Sequence, residues 1–155
     1  MRKLLCILMM CLFAIELPLY AGLGSDKAMY VGGTVSTITE KAEGKIDTSD
    51  AKAFIFECKA AKLSIPYERF SSIEYGQKAG RRVGMAVAIS PVLLFSKKRK
   101  HFVTIEFTDD ANKSQAAVFE IGKDLVRGTL AALEAKTGKK IEYQDDEARK
   151  SAGGK

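Results

Sequence analysis

The sequence predicts an α+β domain: a mainly antiparallel curved sheet or open barrel, with one C-terminal amphipathic helix packed against it. Short segments rich in β-branched and aromatic residues recur from Met29 to Ile121, separated by polar or glycine-containing turns. The apolar period then lengthens to a helical one over Leu125, Val126, Leu130 and Leu133. A chain of 155 residues, 46% hydrophobic and 28% charged, suits one core and excludes collagen-like, disulfide-dense and largely disordered classes.

Residues 1–21 read as a signal peptide. Arg2 and Lys3 form a positive start, Leu4 to Ile15 is uninterrupted apolar sequence, and Glu16 and Pro18 break it before Leu19-Tyr20-Ala21 and Gly22. As a helix the apolar run is about 18 Å long, short of a ~30 Å hydrocarbon core, which favours a cleaved signal over an anchor. Leu8-Met9-Met10 before Cys11 does not resemble a lipoprotein cleavage box. Cleavage removes Cys6 and Cys11 and leaves Cys58 with no internal disulfide. The expected location is outside the cytoplasm, in the periplasm or secreted, at the periphery of a membrane.

The domain is expected over residues 28–144. Met29 to Ile38 favours a strand, with Gly32-Gly33 as a bulge or bend. Glu43-Gly44 reads as a turn before a short extended piece, Lys45 to Thr48. Ala53 to Lys59 places Phe54, Phe56 and Cys58 on one face, so Cys58 reads as a buried small apolar residue. Leu63 to Tyr67 is extended, and Pro66 assigns it to a sheet edge or a bend, because proline cannot donate to the ladder. Phe70 to Gln77 is a further strand. His101 to Thr108 alternates, with Val103, Ile105 and Phe107 on one side, then turns through Asp109 to Ser114 and returns as Gln115 to Ile121. The helix runs from Lys123-Asp124 to Thr137-Gly138, with Ile141 and Tyr143 in a short extended piece after it. Residues 145–155 are expected to be a polar, frayed tail.

The run Ile65-Pro66-Tyr67-Glu68-Arg69-Phe70-Ser71-Ser72-Ile73-Glu74-Tyr75-Gly76, followed by strands and a terminal helix, resembles bacterial pleckstrin-homology-like (GRAM-like) domains across residues 29–143. Ser96-Lys97-Lys98-Arg99-Lys100-His101 is similar to stretches in a group of uncharacterised exported bacterial proteins. The resemblance implies a binding scaffold without enzymatic activity. Many lipid-binding members of that class carry basic residues in the first interstrand loop; here Thr39-Glu40-Lys41-Ala42-Glu43 is mixed, so no phosphoinositide site carries over.

Charge is the informative part of the composition. The chain has a formal charge of +6, yet Lys78, Arg81, Arg82, Lys97, Lys98, Arg99 and Lys100 all fall between positions 78 and 100 with no acid among them. Without those seven and the signal peptide, 16 basic residues face 18 acidic ones. Between the two cationic groups lie 14 uncharged residues, Val83 to Ser96, ten of them apolar, including Val92, Leu93, Leu94 and Phe95. As a helix this stretch spans roughly 21 Å, too short to cross a bilayer, and Pro91 interrupts it. One reading is a contact surface for an anionic membrane, formed by Arg81, Arg82, Val92, Leu93, Leu94, Phe95, Lys97, Lys98, Arg99 and Lys100. A second is a protein-interaction or self-assembly surface using the same apolar residues. The third is a buried element with solvated basic ends. Export and the lack of interleaved aromatic platforms disfavour nucleic acid.

No catalytic residue, metal site or cofactor is expected. His101 is the only histidine, and without a second histidine or paired thiols a zinc site is incomplete. It reads as a solvated histidine at the start of a strand. Asp109-Asp110 and Asp145-Asp146-Glu147 read as solvated turn and tail carboxylates. Asp47-Thr48-Ser49-Asp50 suggests a calcium loop but lacks its spacing and final glutamate. Gly122-Lys123-Asp124 lacks the glycine pattern of a phosphate loop.

Overall fold

The structure is a computed structural model, and it describes residues 27–78 and 100–153. The expected signal peptide at 1–21 and most of the basic–apolar–basic segment lie outside the described residues. Among the described residues, eight strands form one curved, unclosed, mostly antiparallel sheet, accompanied by two helices; across the sheet the order is β4 (Lys62–Pro66), β3 (Ala53–Cys58), β2 (Ala42–Asp47), β1 (Lys27–Gly33), β7 (Ser114–Ile121), β6 (His101–Thr108), β5 (Phe70–Gly76) and β8 (Ile141–Tyr143).

β1 (Lys27–Gly33) pairs with β2 (Ala42–Asp47) and, on its other side, with β7 (Ser114–Ile121). The register between β1 and β7 slips between Tyr30 and Gly32, so the glycine pair does mark a bulge. Gly33 sits at φ +150°, and a Cβ there would collide with the Ala116 carbonyl oxygen. The strand therefore ends at Gly33, not at Ile38. Thr34 to Lys41 form a loop despite their β-branched composition, and Ile38 folds back into the core.

Glu43-Gly44 lies inside β2 and is not a turn. Gly44 is paired on both sides, with Ala28 and Cys58, and a Cβ at Gly44 would collide with the Glu57 carbonyl. The glycine serves close strand approach, which composition alone makes indistinguishable from turn chemistry.

β3 (Ala53–Cys58) and β4 (Lys62–Pro66) complete that half of the sheet. β4 is an edge strand ending at Pro66, as the missing donor requires, and it leads into a 3-10 turn, Tyr67–Arg69. β5 (Phe70–Gly76) and β6 (His101–Thr108) pair with Gly76 opposite Phe102. The β6–β7 turn is held by the Asp109 carboxylate, which accepts from the backbone N–H groups of Ala111 and Lys113 and from Gln115. β8 (Ile141–Tyr143) adds to β5 as the one parallel pair among the described strands.

The helix α1 (Lys123–Thr137) ends where glycine permits a left-handed cap: Gly138 has φ 67° and donates to the Glu134 carbonyl at 3.0 Å. Val126, Leu130 and Leu133 face the main core, built around Phe119, whose ring meets those of Tyr30, Phe54 and Phe56. The tail departs from expectation. Asp145 accepts from the Ala148 N–H at 2.7 Å and starts a second helix, α2 (Asp146–Ser151), which buries Ala148 and, at its cap, Ala152 in the main core. The charged composition hides a cap residue followed by alanines at a four-residue spacing.

Candidate functional site

The basic–apolar–basic segment connects β5 to β6. Of its candidate residues, Arg81, Arg82, Val92, Leu93, Leu94, Phe95, Lys97, Lys98 and Arg99 lie outside the described residues, and Lys100 lies within them. The two ends of the connection leave neighbouring antiparallel strands, because Gly76 faces Phe102 across the ladder. At one end, Gln144 Nε2 donates to the Lys78 carbonyl at 2.8 Å, tying the exit of β5 to the residue after β8. At the other, Lys100 Nζ lies 2.8 Å from Glu120 Oε2, with both side chains about three-quarters covered. The charge of Lys100 is thus engaged within the domain.

His101 is buried, with 9% of its surface exposed, and is not solvated. It shares strand parity with Val103, Ile105 and Phe107, so the pleat turns its ring toward the core. Its Nδ1 lies 2.6 Å from the Tyr75 hydroxyl, which lies 2.9 Å from the Ser151 hydroxyl, which in turn donates to the Ala148 carbonyl at 2.8 Å. The carbonyl only accepts, so three simultaneous hydrogen bonds place the protons in one way. Ser151 donates to Ala148, Tyr75 donates to Ser151, and His101 Nδ1–H donates to Tyr75. Burial, and secondarily the charge of Lys123, hold the imidazole below its usual pKa of 6.5; burial likewise raises the Tyr75 phenol above its ordinary value of 10.0. Nothing in the sequence marks Tyr75 and Ser151 as partners. The alternation of His101 with the apolar residues of β6 is the signal that points inward.

This chain of donors joins β5, β6 and α2 and includes no carboxylate, so it lacks the third member of a Ser-His-Asp set. Among the described residues no group of three His, Cys, Asp or Glu side chains is placed to hold a metal ion. Cys58 is half-buried against the main core with its thiol 3.3 Å from the Ala61 carbonyl. The Asp47–Asp50 turn does gather oxygen atoms around a cation, but the cation is internal. Lys136 Nζ donates to the carbonyls of Thr48, Ser49 and Asp50 at 2.5, 3.2 and 2.6 Å and stands 5.3 Å above the Tyr67 ring.

The described surface also carries two notable grooves. One of about 660 Å³ runs between Lys45–Ser49 and the first turns of α1 at Asp124, Leu125 and Gly128. Another of about 420 Å³ lies under the β1–β2 loop and the β6–β7 turn, where its cation, Arg69, is paired with Asp110. Neither concentrates charge of one sign or converging catalytic groups. Among the described residues no helix is long and apolar enough to cross a membrane. The chain matches no known protein family and no curated protein sequence.

Proposed function

We propose that this protein is an exported, non-enzymatic binding domain of pleckstrin-homology-like (GRAM-like) type, whose 78–101 segment contacts an anionic membrane surface. The observation that carries the reading is the concentration of seven cations and no acid between Lys78 and Lys100, in a domain whose remainder is slightly acidic. The strand pairing supports it, because Lys78 and Lys100, the first and last cations of the segment, follow and precede adjacent paired strands in which Gly76 faces Phe102. Near an anionic bilayer each Lys or Arg contributes on the order of 1 kcal/mol, enough in combination for reversible attachment. The sheet order, with a helix following the strand that pairs with β1, supports the scaffold assignment.

Vesicle co-sedimentation tests the proposal. Binding should rise with phosphatidylglycerol content and fall when Lys97, Lys98 and Arg99 are changed to Glu, with Lys100 kept to preserve its pair with Glu120. Binding indifferent to both would overturn the membrane reading, and so would no binding at all. Capture of a protein partner that depends on Leu93, Leu94 and Phe95 would transfer the same segment to a protein-interaction role.

A further inference from the structure

The sheet has two buried faces over half of its width, and the described residues account for only one of them. On β1, β7, β6 and β5, alternate residues enter the main core: Tyr30, Phe119, Val103 and Ile73 are examples. Their neighbours point the opposite way, and they too are buried. Val31 and Val118 are 0% exposed and Phe102 is 3% exposed, forming a separate apolar cluster with Met29 at its margin. Thr104 and Glu74 on the same face are 6% and 8% exposed. The apolar residues buried on α1 and α2 all belong to the main core, so neither helix lies over this second cluster. On β2 the corresponding outward residues, Glu43, Lys45 and Asp47, are exposed. The outer face is therefore apolar and covered only on the half that includes β5 and β6.

We infer that residues 83–95 of this same chain dock on the outer face of β1, β7, β6 and β5 and seal the Val31–Phe102–Val118 cluster. The segment begins and ends at strands of that half-sheet, and Phe102 itself lies two residues beyond Lys100. Its reach suffices. Crossing from β5 to β1 takes three interstrand steps, about 14 Å, and 13 residues cover about 20 Å even when wound as a helix. Its composition matches the face: apolar residues oppose an apolar centre, and the flanking cations oppose a rim that carries Glu106, Glu120 and Glu142. One such contact is present, since Lys100 is seated on Glu120. This goes beyond the membrane reading and does not depend on it. It leaves the cations that the three rim glutamates do not pair as the part of the segment able to meet a bilayer.

The test contains no lipid. A photoreactive benzoylphenylalanine replaces Phe102 in one variant of the full chain and the half-buried Met29 in a second, so that a folding failure at Phe102 leaves the margin position informative. Irradiation should give a product of monomer mass in which the probe is joined to the tryptic peptide Val83–Lys97. Adding Leu93→Asp and Leu94→Asp should lower its yield by about tenfold or more, because the docked apolar residues lose their gain from burial. Crosslinks to residues 4–15, crosslinks between two copies, or none at either position would overturn the assignment. A chain that crosslinks as expected and ignores vesicles would refute the membrane proposal alone.

Discussion

Tyr75 Oη lies 2.6 Å from His101 Nδ1, linking two adjacent strands beneath the short C-terminal helix. The order of protons along this chain makes Nδ1–H the donor, so a second proton on Nε2 leaves the bond to Tyr75 intact. What opposes protonation is burial, assisted by Lys123. The folded state thus binds this proton more weakly than the unfolded chain does. Stability is fully present above the ordinary histidine pKa of 6.5 and declines as pH falls through it toward the lower folded value. Asp47 and Asp109, whose carboxyls are held below the ordinary 3.8 first by hydrogen bonds, lose their contributions only in more acid solution. Denaturant midpoints should therefore fall between about pH 7 and pH 5, and His101→Gln should flatten that slope. An unchanged slope in the variant would refute the assignment.

Removing the central hydroxyl tests the geometry without changing charge. Tyr75→Phe leaves the His101 donor unpaired in a buried site and frees Ser151 from the sheet, at an expected cost of about 1–3 kcal/mol. The loss should be localised. Amide exchange over residues 146–152 should accelerate more than exchange in β2 and β3, because Ser151 is a polar tie between α2 and β5. Uniform acceleration would mean that the hydroxyl supports the core as a whole and not the helix.

Much of this fold is legible in sequence because its apolar residues follow one period at a time. Alternation alone delimits His101–Thr108, helical spacing delimits Lys123–Thr137, and Ile141–Tyr143 stands out as a short strand. Two departures share a cause. Gly44 and Asp145 each satisfy two structural descriptions, and only the partner chooses between them: Glu57 across the ladder for one, the Ala148 N–H for the other. For His101 two signals conflict: its cationic neighbours in sequence suggest solvent, while its strand parity points inward, and parity prevails. The Lys136 site leaves no trace in sequence, since its carbonyl ligands carry no residue signature and sit more than 80 residues away.

The glycines separate by what a methyl group would meet. Gly33→Ala must place a Cβ against the Ala116 carbonyl at a φ that L-residues avoid, so it should destabilise the domain by more than about 2 kcal/mol or prevent folding. Gly128 lies on the exposed face of α1, where an added methyl group would have no neighbour within 4 Å. Gly128→Ala should raise stability by about 0.5–1 kcal/mol. Thermal denaturation of the two variants should give opposite signs, and a destabilising Gly128→Ala would show that the groove beside α1 requires the missing side chain.

The Lys136 ammonium tests how an exposed cation can matter while an exposed ion pair does not. Arg69 and Asp110 form a pair in which the carboxylate is 98% exposed, so water and salt screen it, and Asp110→Asn should leave stability unchanged. Lys136 lies in the last turn of α1, where a cation complements the helix dipole, and its partners are three backbone carbonyls and the Tyr67 ring. Those carbonyls come from one turn whose shape is fixed by the Asp47 and Asp50 side chains, which accept from the N–H groups of Ser49, Lys52 and Ala53. The cage is therefore held in shape before the ammonium enters it, and Lys136 ties the end of α1 to the β2–β3 turn. Lys136→Met keeps an unbranched apolar side chain of similar length and removes the donors and the charge over Tyr67, so it should cost about 1 kcal/mol. Direct contacts at this range persist when the Debye length shrinks to about 3 Å, so most of the loss should remain in 1 M salt. A loss that disappears in salt would reassign the effect to the long-range attraction of Asp47 and Asp50.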